Sequence, residues 1–170
     1  WWRDPYDSCG ESHGSFQVTV LVDTEVSRLN SMVVDSLQSL AEIQLKNNWH
    51  ESQLITNSIG KQYVGMYKIL HHNQVMYIGM GNINARRWRH VSVFENKGEA
   101  LVSDNGRSSD SPVARKMYEY DKDINNWRIS FMTIDREIDR FVADAVMKKM
   151  ECILNQENSP VFCTEHMVGK

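Results

Sequence analysis

Two short apolar segments that lie close together constrain the fold more than any other feature of this chain. Residues 64–70 and 75–79 are both apolar-rich, and only four polar residues, His71 to Gln74, separate them. Short apolar runs joined by a polar turn are typical of a β-hairpin. Strands joined by a tight turn run antiparallel. We therefore predict an antiparallel hairpin near the middle of the chain.

The segment before this hairpin, residues 1–62, is interpreted as an N-terminal extension packed on the core. Apolar residues alternate over 15–23, which predicts a strand. They recur at helical spacing over 27–47, which predicts a helix with Ser27 as its N-cap. A second, short helix is expected over residues 50–60, ending near Gly60.

The segment after the hairpin completes the predicted core, residues 63–170. Helices are expected over 84–94 and 112–120, the second starting at Ser111-Pro112, with a loop between them. A third strand is expected over 127–133, and a last helix from a cap at Asp135 to about residue 155. The predicted fold is α+β, a small antiparallel three-stranded sheet flanked by helices, with the N-terminal strand and helix added.

Composition excludes few functions. The 170 residues are 41% hydrophobic, which fits one globular domain, and no apolar run is long enough to predict a membrane span. Three cysteines make a poor disulfide framework and favour reduced thiols in a cytoplasm. The net charge of -3 argues weakly against binding nucleic acid, but residues 85–90, Ala-Arg-Arg-Trp-Arg-His, form a local basic cluster.

The two hairpin strands carry a pair of tripeptides. Gly65-Met66-Tyr67 stands on the first strand and Tyr77-Ile78-Gly79 on the second, with ten residues from one Tyr to the other. This pair resembles the GIY-YIG nuclease family, which is named after the two tripeptides. Taken alone, each Tyr is an ordinary half-buried strand residue. The pair at this spacing on one hairpin is more specific than either tripeptide.

Residues downstream extend the resemblance to roughly positions 63–163. The family places an Arg ten residues after the second Tyr, here Arg87, and a Glu on its last helix followed nine residues later by Pro, here Glu151 and Pro160. Two positions depart from the family pattern. Cys163 stands where relatives carry Asn, and no His lies near residues 109–111, which leaves His90 as the nearest candidate.

The resemblance implies a DNA endonuclease that hydrolyses phosphodiester bonds with one Mg²⁺ (or Mn²⁺) per active site. Glu151 would hold the ion, Arg87 would brace the phosphate with two donors, and Tyr67 would orient or activate water with support from Tyr77. His90 would assist. Without the resemblance, Arg87 reads as a solvated helix residue, whereas Glu151 borders an apolar helix face and needs a partner.

The implied partner is double-stranded DNA in the cytoplasm of a bacterial or phage-infected cell. Candidate DNA contacts are Arg86, Arg89, Arg115 and Lys116, the last two being equally well explained as solvated residues. Because one chain offers one active site, cutting both strands favours a homodimer or higher homo-oligomer, with the helix over 27–47 as a candidate surface. The alternative is a catalytically weak or inactive module of the same fold that binds nucleic acid or protein.

A second pattern joins the two ends of the chain. Cys9 with His13, and Cys163 with His166, would together make a tetrahedral zinc site. Because pairs so far apart in sequence are unspecific, we favour the reading in which these residues are unrelated.

Overall fold

The computed structural model describes residues 13–46, 49–99, 111–135 and 137–162, with side chains from residue 24 onward. The chain divides into two compact units, Trp1–Leu37 and Gln38–Lys170. The described residues form four helices and one antiparallel four-stranded sheet, so the predicted α+β class is confirmed. In chain order the elements are α1 (His13–Leu45), β1 (Gln53–Leu54), β2 (Val64–His71), β3 (Gln74–Asn82), α2 (Ile83–Glu95), α3 (Pro112–Tyr120), β4 (Trp127–Thr133) and α4 (Arg140–Asn158).

The predicted hairpin is confirmed as β2 and β3, which pair antiparallel from Val64↔Asn82 to His71↔Gln74. Its turn consists of His72 and Asn73, whose φ angles are 46° and 69°. A two-residue turn with both φ angles positive matches the right-handed twist of the strands, and Asn tolerates that conformation well. The turn therefore fixes the register that places the two tripeptides side by side.

Strand β2 lies inside the sheet, whose order is β1-β4-β2-β3. β4, predicted over the same residues, pairs with β2 on the side away from β3. The two strands approach closely at Gly65, where a Cβ atom would lie 2.0 Å from the carbonyl oxygen of Met132. Only glycine fits that approach, so the first glycine of the motif serves the packing of the sheet.

The N-terminal strand predicted over residues 15–23 is wrong, because these residues belong to helix α1. The alternating valines also satisfy a helical period, and a short apolar run cannot distinguish the two periods. No Gly or Pro interrupts the chain between Ser15 and Leu45. The helix predicted from Ser27 therefore extends back to His13 without a break.

The short helix predicted over residues 50–60 is also wrong, and the sheet has four strands rather than three. This segment runs beside β4 instead. The His50 N–H donates to the Phe131 carbonyl at 2.8 Å, and the Ile55 N–H donates to the Trp127 carbonyl at 3.1 Å. The Arg128 guanidinium donates to Ser52 Oγ at 3.1 Å. These tertiary bonds outweigh a weak local helix preference.

Helices α2 and α3 are confirmed, and each begins at a side-chain cap. Asn82 accepts from the N–H of Ala85, and Ser111 accepts from the N–H of Ala114 ahead of Pro112. Helix α4 begins later than predicted: its cap is Asp139, not Asp135. The Ile134 N–H still donates to the Val64 carbonyl at 2.9 Å, which keeps that residue on the sheet.

The core lies on both faces of the sheet. Side chains of β2 and β4 that include Tyr67, Ile69 and Phe131 join one buried cluster with Val91 of α2 and Val113 of α3. Residues at alternate positions point to the opposite face. There Met66, Ile78 and Met132 are buried, and α4, which contacts β2 and β3, buries Val146, Met147, Met150 and Leu154. Each of the two faces of the sheet is thus covered by helix.

No helix in the described ranges combines the length and apolar character that a membrane crossing requires.

Replacing Gly65 with Ala should lower the free energy of unfolding by about 2–3 kcal/mol, because the added methyl would force β2 and β4 apart. Urea unfolding followed by circular dichroism measures this loss. Gly60→Ala is the matched control, since its Cβ would meet only the Tyr63 side chain, which can move. Equal stability of the two variants would show that β2 and β4 are not packed this tightly.

Candidate active site

The two motif tyrosines lie on neighbouring strands and face the same side of the sheet. Tyr67 pairs with Gly79, and Tyr77 pairs with Ile69. A Cβ atom on Gly79 would lie 2.5 Å from the Tyr67 hydroxyl oxygen and 2.8 Å from the Tyr77 ring. The Tyr67 phenol therefore packs directly against the backbone of Gly79, the second glycine of the motif. The two rings lie 6.1 Å apart between centroids.

His90 of α2 completes a cluster of three rings. Its ring centroid is 6.0 Å from that of Tyr67 and 6.1 Å from that of Tyr77, and its Nε2 lies 3.4 Å from the Tyr67 hydroxyl oxygen. Burial, followed by the charges of Arg86 and Arg89, lowers the pKa of His90 to about 3. The imidazole is therefore neutral at neutral pH, and Nε2 can accept the Tyr67 proton in a hydrogen bond.

The other ring nitrogen of His90, Nδ1, is buried and has no hydrogen-bond partner within the described residues. Buried polar atoms without a partner are uncommon in native proteins. This atom belongs to the same ring that contacts both tyrosines.

A pocket of about 190 Å³ opens at this ring cluster. Arg86 and Arg89 of α2 line it, and so do Ser111, Pro112 and Val113 at the start of α3. Both arginines are exposed. Two guanidinium groups beside buried, neutral hydroxyl and imidazole groups favour an anion such as a phosphate.

Arg87, the arginine selected by sequence spacing, does not line this pocket. Its Nη1 donates to the carbonyl oxygens of Ile55 at 3.0 Å and Thr56 at 3.2 Å. These hydrogen bonds connect α2 to the turn that follows β1. The arginines that share the pocket with His90 are Arg86 and Arg89, and Arg86 stands four residues before His90. Residues four apart lie on one helix face, and that spacing is the sequence signal that distinguishes Arg86 from Arg87.

Glu151 lies on α4, the helix that contacts β2 and β3, and is half-buried between the buried Met147 and Leu154. The charge of Glu151 is one of the smaller causes that raise the pKa of Tyr67. The structure thus brings Tyr67, Tyr77 and His90 together, whereas Glu151 lies on the helix that covers the opposite face of the sheet and is not among the residues that line their pocket.

Burial is the main cause that raises the pKa of the Tyr67 phenol well above its ordinary value. Tyr77 and Glu151 act in the same direction, while Arg86 opposes them. The phenol is therefore protonated at neutral pH, and a base made of its phenolate requires additional positive charge at the pocket.

The sequence predicts a Mg²⁺ ion at this site. Mg²⁺ is commonly held by one or two carboxylates together with waters and substrate phosphates. The carboxylate expected from the sequence is Glu151, which is not among the residues that line this pocket. Where the structure is described, the only group of three metal-ligating side chains is His71, His72 and Asp121. It stands at the far end of the hairpin, and the Asp121 carboxylate already accepts from His71 at 2.8 Å and from Asn126 at 2.8 Å.

The remaining predicted residues divide into two groups. Arg115 and Lys116 are exposed on α3. Cys9, Cys163, His166 and the side chain of His13, which would form the zinc site, lie outside the described residues. A larger cleft of about 960 Å³ contains none of the predicted site residues, and Asp135, Glu137 and Asp144 in its lining disfavour a phosphate.

Comparisons of the chain with protein-family models, with curated proteins and with solved structures found no match.

The contact between His71 and Asp121 predicts a change of stability in acid. Hydrogen bonds from His71, from the Asp123 backbone and from Asn126 lower the pKa of Asp121 from 3.8 to about 2. Because the folded-state pKa is depressed, this stabilisation is present above about pH 4 and is lost as pH falls toward 2.

Asp121→Asn should therefore show a smaller loss of unfolding free energy between about pH 4 and pH 2 than the parent chain. Urea midpoints measured across that range test this, with Asp123→Asn as the neighbouring control. An acid dependence that is unchanged in Asp121→Asn would contradict the assignment.

Proposed function

We propose that this chain is a divalent-metal-dependent DNA endonuclease of GIY-YIG type that hydrolyses phosphodiester bonds. The observation that carries the proposal is the convergence of Tyr67, Tyr77 and His90 at a pocket lined by Arg86 and Arg89. The two tripeptides and Glu151 stand at the spacing that the resemblance to this family requires. The substrate is double-stranded DNA.

Arg86 takes the role that sequence spacing gave to Arg87. A guanidinium group forks two donors onto phosphate oxygens, and it offsets the charge that develops as water attacks phosphorus. Arg86 is exposed at the pocket, whereas the Nη1 of Arg87 is occupied by backbone carbonyls. Arg89, one turn further along α2, adds a second positive charge for the flanking phosphate.

Tyr67 positions the attacking water. Its hydroxyl is held between the Gly79 backbone and His90 Nε2, so its direction is fixed before substrate arrives. The protonated phenol can donate to the neutral His90 Nε2 and at the same time accept a hydrogen bond from the attacking water, so it orients the water without taking its proton. Tyr77 packs against both rings and keeps them in place.

Glu151 would hold the metal ion, which, when bound, supplies a Lewis acid to a phosphate oxygen and lowers the pKa of nearby hydroxyl groups. The positive charge of the metal ion would lower the pKa of the Tyr67 phenol, whereas burial raises it. Loss of the carboxylate would leave Tyr67 protonated in the presence of metal.

Arg86→Ala should reduce nicking of supercoiled plasmid by at least about 100-fold. The urea concentration at the midpoint of unfolding should stay the same as that of the parent chain. Arg87→Ala should show the reverse, keeping most of the nicking rate but losing about 2 kcal/mol of unfolding free energy, since hydrogen bonds to a charged group are broken.

The two variants are each other's control, because both remove one arginine from α2. If Arg87→Ala abolishes nicking in a folded protein and Arg86→Ala does not, the assignment of the phosphate-binding arginine is reversed. Plasmid binding without cleavage by the parent chain in Mg²⁺ or Mn²⁺ would favour the alternative, a non-enzymatic binding module.

A further inference from the structure

Three side chains of types that commonly bind metal ions meet at the turn of the β2–β3 hairpin. The ligand atoms of His71, His72 and Asp121 all lie within 4.8 Å of one another. The two histidines stand at the hairpin turn, and Asp121 follows the last residue of α3, 50 residues further along the chain than His71. None of the three lines the Tyr67 pocket. We call these three residues the triad.

Two members of the triad are already held in place by their neighbours. The His71 ring packs against the Trp127 ring, with centroids 4.8 Å apart, and only 12% of the His71 side chain is exposed. The Asp121 carboxylate accepts from the Asp123 N–H at 2.9 Å and from the Asn126 side chain at 2.8 Å. Hydrogen bonds of this kind orient the ligands of metal sites. Binding of an ion would therefore require little further ordering of His71 and Asp121.

His72, the third member, keeps the triad open to solvent. Its side chain is exposed, and its ring centroid lies 4.3 Å from that of His71 in an edge-on arrangement. An ion at the triad can enter directly from solution, and it retains a position for water. Three protein ligands and one water form the open type of tetrahedral zinc site.

We propose that the triad binds one Zn²⁺ ion and thereby links the hairpin turn to the end of α3. Imidazole ligands favour zinc, whereas Mg²⁺ prefers a shell of oxygen atoms. His71 Nε2 lies 2.8 Å from Asp121 Oδ2. Two ligand atoms of a tetrahedral zinc ion stand about 3.3 Å apart, so a separation of these atoms by roughly 0.5 Å admits the ion. His71 then binds through Nε2 and carries its proton on Nδ1. This site does not depend on nuclease activity.

The first test counts the Zn²⁺ ions bound by the full chain, in competition with a chelating dye. The parent chain should bind one more equivalent at micromolar free Zn²⁺ than His72→Asn. Loss of one of three ligands should weaken binding at least about 100-fold, because loss of even an outer hydrogen-bond partner costs about 10- to 100-fold. Asn suits the left-handed backbone of this position, where φ is 46°. His50→Asn is the matched control, since His50 is also exposed and lies beside Phe131, outside the triad, and it should bind as the parent does.

A second pair of variants tests the carboxylate independently of the turn. Asp121→Asn should lose the same equivalent of Zn²⁺, whereas Asp123→Asn should keep it. Saturating Zn²⁺ should raise the urea midpoint of the parent chain and of Asp123→Asn, and it should leave the midpoints of His72→Asn and Asp121→Asn where they are without metal.

Co²⁺ in place of Zn²⁺ identifies the ligand atoms. The absorption that is lost in His72→Asn should consist of visible bands without a near-ultraviolet sulfur-to-cobalt band, because the triad contains no thiolate. Equal Zn²⁺ binding by the parent, His72→Asn and Asp121→Asn would overturn the proposal. Loss of the same equivalent in His50→Asn, or a sulfur-to-cobalt band that disappears with His72, would also overturn it.

Discussion

The close approach of three strands around Tyr67 is the constraint on which the rest of the site depends. Gly65 lets β4 come against β2, because a Cβ there would lie 2.0 Å from the Met132 carbonyl oxygen. Gly79 lets the Tyr67 phenol lie flat on β3, because a Cβ there would lie 2.5 Å from its hydroxyl. Glycine is thus needed at both motif positions because a Cβ atom would not fit there. The position of the Tyr67 hydroxyl follows from backbone geometry rather than from a flexible side chain.

That buried position also sets the electrostatics of the pocket. Burial keeps the Tyr67 phenol protonated and the His90 imidazole neutral, so neither group carries charge before a ligand binds. Positive charge is supplied from the pocket rim by Arg86 and Arg89. A local arrangement of this kind would let a chain with a net charge of -3 bind a phosphate.

Sequence reasoning predicted the elements whose signals are local. The hairpin, β4, α2 and α3 each have a turn, a cap or a clear period, and the structure confirms them. The sequence-based predictions were wrong where tertiary contacts determine the conformation. Residues 50–55 run alongside β4 because their backbone forms hydrogen bonds with Phe131 and Trp127. No local sequence pattern predicts these bonds.

The site shows the same division. Tyr67 and Tyr77 could be predicted to share one face, since the register of a tight hairpin is fixed by its turn. The choice between Arg86 and Arg87 could not be made by counting from Tyr77, because neighbouring helix residues point about 100° apart and one residue changes the face. Only the carbonyls of Ile55 and Thr56, which come from a distant turn, show where Arg87 is engaged.

The proposed chemistry depends most directly on the carboxylate of Glu151, and one measurement tests it. Purified parent chain and Glu151→Gln are compared for nicking of supercoiled plasmid across a Mg²⁺ titration, with plasmid binding measured in parallel by gel shift. Nicking should require Mg²⁺, stop with EDTA and fall at least about 100-fold in Glu151→Gln while plasmid binding persists. Nicking by Glu151→Gln at the parent rate, or metal-independent nicking by the parent, would contradict it.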